Sequence, residues 1–114
     1  IKPDPAAADG DQGVTPEGGY ELIGVGRKTV TTAGARESLV AVATPAALVL
    51  ITALSSNTGI VVVGNALVIA LLATRQGTPL VAGESVTIQI DNLIKIFLDV
   101  TVSGEGVTFT YLGE

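Results

Sequence analysis

From Tyr20 onward the chain never sustains an apolar run long enough to complete a buried helix before glycine, asparagine, proline or a serine pair interrupts it. The runs YELIGV, RKTVTT, ESLVAVA, ALVLITAL, IVVV, ALVIALLA, SVTIQI, IKIFLDVTV and VTFTYL are rich in Val, Ile, Thr and aromatic residues, and none repeats at a helical period. Between them stand the turn signals AGAR, Thr44-Pro45, SSNTG, GN, DNL and SGEG. A longer polar connection, TRQGTPLVAGE, holds Pro79, which disfavours a central strand, and Gly83, which marks a turn. Short strands at this spacing predict an all-β chain of about eight strands, an antiparallel β-sandwich with the jelly roll as one arrangement of it. At 114 residues, a single domain can bury roughly two-thirds of the surface its unfolded chain exposes.

The last third of the chain separates its two faces clearly. In IKIFLDVTV, Ile94, Ile96, Leu98, Val100 and Val102 share one face and Lys95, Phe97, Asp99 and Thr101 the other, as period two requires. Val86, Ile88 and Ile90 oppose Thr87 and Gln89, and Val107, Phe109 and Tyr111 oppose Thr108 and Thr110. The middle behaves differently. Leu48 and Leu50 are apolar and so are Val49 and Ile51, while IVVV and ALVIALLA are apolar on both parities. Such strands need cover on both faces, and one sandwich supplies one core. The second cover is expected from another subunit, or from the chain's own connections or N-terminal arm. On the subunit reading, the interface takes Val49, Ile51, Val61, Val62, Val63, Ile69, Leu71 and, from the polar face of IKIFLDVTV, Phe97. Each buried side chain of this kind contributes about 1.5–3 kcal/mol, so three or four hold an oligomer together.

Residues 1–19, IKPDPAAADGDQGVTPEGG, combine proline, glycine and charge with almost nothing large and apolar. They read as an extended arm or linker before a sandwich domain at residues 20–114. Acidic residues number 11 against 6 basic, a formal charge of −5, which disfavours nucleic acid as a partner. With no histidine and no cysteine, the chain offers neither imidazole nor thiolate for catalysis or metal binding, and no cofactor is expected. No charged residue occurs between Glu37 and Arg75, yet Pro45 and the Ser55 to Gly59 turn divide that window. Neither AALVLITAL nor VVVGNALVIALLA reaches the roughly 18 apolar residues of a spanning helix, so membrane insertion is not expected.

Local motifs carry little chemistry. Asp9-Gly10-Asp11 lacks the further oxygen ligands and closing Glu of a calcium loop. Gly24-Val25-Gly26 has no third glycine and no following helix, so it reads as strand glycine rather than a dinucleotide loop. Glu84, Asp91, Asp99 and Glu105 are carboxylates of the compact part, and a glycosidase would need two of them poised across a cleft. Trp is absent, and Tyr and Phe number 2 each, which leaves few platforms for sugar. An enzyme is not expected.

The stretches RKTVTTAGARESL, ITALSSNTGIVVVGN and GTPLVAGESVTIQIDNLIKIFLDVTVSGEGVTFTYL resemble small β-rich modules of tailed-bacteriophage virion proteins. The likeness spans residues 27 to 112 and is carried by Asn57-Thr58-Gly59, the Val strand ending at Gly64, Pro79-Leu80 with Ala82-Gly83-Glu84-Ser85, Asp91-Asn92-Leu93, and Gly104-Glu105-Gly106-Val107. Ile94 and Phe97 stand where such modules often carry Asn-rich and Tyr-rich residues. The resemblance implies a virion structural protein, a capsid decoration or head-tail accessory subunit. It would be repeated with cyclic symmetry, a trimer favoured, and packed against other virion proteins such as the major capsid protein. Two other expectations stay open: a fibre or tail module that binds a host-surface glycan, and an extracellular filament subunit assembled by N-terminal strand donation.

Overall fold

The computed structural model describes residues 22–113. The arm expected over residues 1–19 and the Asp9-Gly10-Asp11 turn lie outside that range. The described residues form eight strands: β1 (Leu22–Thr29), β2 (Glu37–Ser38), β3 (Leu48–Ala53), β4 (Val61–Gly64), β5 (Thr78–Leu80), β6 (Ser85–Ile88), β7 (Phe97–Val100) and β8 (Gly106–Gly113). Two short 3₁₀ turns, Leu72–Thr74 and Leu93–Lys95, are the only helical pieces among the described residues.

The strands form two antiparallel four-stranded sheets, β1-β8-β3-β6 and β2-β7-β4-β5. Every connection except β4 to β5 crosses from one sheet to the other. The pairs β1·β8, β2·β7, β3·β6 and β4·β5 are those of one long hairpin folded over, and β8·β3 with β7·β4 roll it up. That is jelly-roll connectivity. All-β architecture, the sandwich and the strand number agree with the sequence reading.

Several runs behave otherwise than expected. YELIGV and RKTVTT join, over the described residues, into the one strand β1. ALVIALLA is not a strand: apart from an isolated bridge between Ile69 and Gln76 it winds as a connection. The polar connection contributes β5 in its place, at the edge of the second sheet, where Pro79 costs no ladder bond.

One core lies between the sheets. Val49, Ile51 and Ala53 from β3 and Val107 and Phe109 from β8 meet Val61 and Val63 from β4 and Leu98 and Val100 from β7. Ile96 belongs to this core as the alternation predicts, whereas Ile94 and Val102, at the ends of the same run, are exposed because the strand is only four residues long. The β1 glycines have a packing reason. A Cβ on Gly24 would meet the Tyr111 ring at 2.2 Å, and one on Gly26 the Phe109 ring at 2.3 Å. Both aromatic rings therefore lie across the bare backbone of β1.

The segments that carry the resemblance act as fasteners. The Asn57 side-chain amide donates to the Gly106 carbonyl at 2.9 Å, and Glu105 accepts from the Thr58 and Gly59 amides and the Thr58 hydroxyl at 2.7, 2.9 and 2.9 Å. Asn92 Oδ1 accepts from the Thr44 and Ile94 amides at 2.8 and 3.1 Å. Gly83, with φ +83°, makes the turn expected of it.

The Glu105 clasp has a pH signature. Hydrogen bonds from the Thr58 amide first, then from the Gly59 amide and Thr58 hydroxyl, hold its carboxyl below the ordinary value of 4.5. Lys28 and then the Thr31 amide do the same for Glu37, whose carboxylate sits 2.7 Å from Lys28 Nζ. A carboxyl whose pKa is lowered by folding contributes stability above its unfolded value and loses it as pH falls through the folded one. The melting temperature should hold from neutrality to about pH 5 and fall below it. Glu105→Gln should flatten that fall; an acid limb identical to the parent's would show that the clasp carries none of it.

Candidate functional site

The outer face of the first sheet is where exposed apolar side chains become contiguous. Cross-strand register sets its rows. Ile23 lies opposite Leu112, which lies opposite Leu48; Val25 opposite Thr110, opposite Leu50, opposite Thr87; Arg27 opposite Thr108, opposite Thr52, opposite Ser85. One end of the face is thus aliphatic, and the other is hydroxylated, with Thr52 and Ser85 oxygens 2.7 Å apart. Ile23 is 69% exposed, Val25 78% and Leu50 43%, while Leu48 and Leu112 are half-buried. Nothing among the described residues covers this band.

The residues expected at a subunit interface divide otherwise. Val49 and Ile51 point inward, so the outward pair on β3 is Leu48 and Leu50, one residue off the expected parity. An apolar run on both parities cannot say which face is inside. Pairing says it: Val49 lies opposite Tyr111 and Ile51 opposite Phe109, the inward set of β8. Val61 and Val63 are likewise core residues.

Val62 does face outward from its sheet, yet it is fully buried. The connection after β4 folds back so that Val68 and Ala70 cover it, with Ile60 and Phe97 at the margin. Phe97 and Ile69 are half-buried in this arrangement. For Val62 the cover comes from the chain itself, the second of the two readings left open above. Leu71 alone of the eight stands well out of the surface, 66% exposed beside Leu72 at 78%. These two leucines border a hollow of about 410 Å³ with Ala33, Gly34 and Arg75.

The four carboxylates are engaged structurally. Glu84 Oε1 accepts from the Val81 amide of its own turn, Asp91 pairs with Lys95 at 2.9 Å, and Glu105 closes the clasp. Asp99 is buried and accepts from the Gly34, Ala70 and Val100 amides at 3.0, 2.8 and 2.9 Å. It thereby pins both the β1–β2 turn and the covering connection to β7. No group of three or more potential metal-binding side chains occurs among the described residues.

Ile23, Val25, Leu48, Leu50 and Leu112 escape a strand-by-strand reading. The alternation of VTFTYL carries the missing signal: once β3 and β1 are laid beside it in register, their outward residues follow. No family model, curated relative or solved structure matches the chain. What the fold and this face define is a class: an antiparallel sandwich, of eight strands among the described residues, with one aliphatic outer sheet face.

Proposed function

We propose that the chain is a structural subunit of a bacteriophage particle, a capsid decoration or head-tail accessory protein, that associates with copies of itself and with neighbouring virion proteins. The observation that carries this reading is the contiguous aliphatic band of Ile23, Val25, Leu48, Leu50 and Leu112, uncovered among the described residues. An exposed patch of this kind on a rigid sheet marks an interaction surface. Charge supports it as well. Between residues 22 and 113 the basic residues Arg27, Lys28, Arg36, Arg75 and Lys95 balance the acidic Glu37, Glu84, Asp91, Asp99 and Glu105, so the formal −5 resides in the flanking residues. A neutral body with an aliphatic face associates readily. The resemblance to virion modules supplies the setting, since a fold alone does not name a duty.

The mechanism is mechanical: burial of side chains at about 1.5–3 kcal/mol each holds subunits in place, with no reaction step. Leu50→Asp should leave the melting temperature within a few degrees of the parent and weaken binding to neighbouring virion proteins at least tenfold, read by co-sedimentation with purified particles. Mass spectrometry of purified particles should find the protein in many copies per particle. A protein recovered only free of particles would overturn the virion assignment.

A further inference from the structure

The four sheet edges are not alike. β2 is two residues long, β5 is three and holds Pro79, and β6 is four with Ser85 and Thr87 facing out. Short strands, proline and polar side chains are the usual means by which an edge is kept from pairing with another chain. β1 has none of these over its apolar half. It runs for eight residues, pairs β8 in unbroken register from Leu22–Gly113 to Thr29–Gly106 without a bulge, and has a partner on one side only among the described residues. Its outward side chains Ile23 and Val25 are among the most exposed aliphatic groups of the molecule.

Resting on the self-association proposed above, we infer that β1 pairs antiparallel with β1 of a second copy about a two-fold axis at Gly24, joining two four-stranded sheets into one. Of the antiparallel registers open to the strand, this one sets Ile23 opposite Val25 of the second copy and Val25 opposite its Ile23. A shift of two residues either way leaves a single apolar pair, and the shift toward Arg27 sets Ile23 against that charge. The Gly24 register also keeps Arg27 and Lys28 of the two copies at opposite ends, so no like charges face each other. At the axis, the two Gly24 residues bring no side chain into the space their Tyr111 rings already occupy. The aliphatic bands of the two copies become continuous. Because this register sets only Leu22–Gly26 of each β1 against the other, a five-residue edge contact at the small end of specific interfaces, pairing is concentration-dependent and favoured where copies are crowded on a surface.

The absence of cysteine makes the register directly readable. Cα atoms opposed across an antiparallel pair stand about 4.5–5.5 Å apart, within disulfide range, whereas those two residues off register do not. Under mild oxidation, a mixture of Ile23→Cys and Val25→Cys chains should give a disulfide-linked dimer, and neither chain alone should. Val25→Lys should reduce the light-scattering mass from two chains to one at a concentration where the parent is dimeric, with its melting temperature unchanged. Oligomers that persist without the mixed disulfide, or with a mass of three chains, would overturn β1 pairing and leave self-association standing. A parent that stays a single chain at every concentration would overturn both.

Discussion

Val62→Asp is expected to unfold the sandwich, not to release a folded subunit. Val62 is fully buried beneath Val68 and Ala70, and its cross-strand neighbour on β7 is Asp99. The new carboxylate would lose its water without gaining a cation and would face a second carboxylate across the ladder. An unpaired buried charge beside a like charge costs about 4–5 kcal/mol or more, comparable with the whole stability of a small domain. The chain should lose its cooperative thermal transition or melt at least roughly 20 °C lower, at the 4–8 °C per kcal/mol of a domain this size. Val62→Ala, which removes volume only, should cost about 2 kcal/mol and keep the transition. If the aspartate variant melted like its parent but scattered as a lighter particle, Val62 would be an intermolecular contact and the covering connection would be misplaced.

Asp99→Leu is the second large effect. Its carboxylate is the acceptor for three backbone amides from three different segments, and no basic side chain pairs with it among the described residues. Removing it leaves the Ala70 and Val100 amides buried without a partner, at about 1–3 kcal/mol each, with a smaller cost at the more exposed Gly34. A total of about 3–5 kcal/mol corresponds to a melting temperature roughly 15–30 °C lower. Asp99→Asn keeps one acceptor oxygen but points an NH₂ group at the remaining amide donors, so it should fall between parent and leucine variant. Amide hydrogen exchange adds a local reading: the Ala70 amide should lose protection in both variants before the β3 and β8 amides do. Equal protection at Ala70 in parent and variants would show that Asp99 does not hold the connection down.

Where the residues alternate cleanly the fold was legible. VTFTYL has hydroxyls on one parity and Val107, Phe109 and Tyr111 on the other, and β8 packs as that pattern says. The turns at Ser55 to Gly59 and at Gly83 were equally readable, because each rests on the torsional or hydrogen-bonding limits of a few adjacent residues, whereas the stretch around Pro79 reads as a connection and supplies the edge strand β5 instead. Most of the candidate surface was not legible strand by strand. ALVLITAL offers two apolar parities with nothing local to rank them, and the wrong pair, Val49 and Ile51, was expected to point out. ALVIALLA has the composition of a strand, but Asp99 captures the Ala70 amide and Val68 and Ala70 settle over Val62.

The amino-acid order alone determined the alphabet of this protein: short strands, their number, their turns, and a middle too apolar on both sides to be satisfied by one core. Only the tertiary structure decided how each surplus face is met. Around β4 the chain supplies its own cover; on the β1-β8-β3-β6 sheet a band of Ile, Val and Leu is left facing out. The division follows from range. Turn torsions and two-residue alternation are set by neighbours in sequence, whereas burial depends on which distant strand comes alongside, and that choice is made by the whole set of pairings at once.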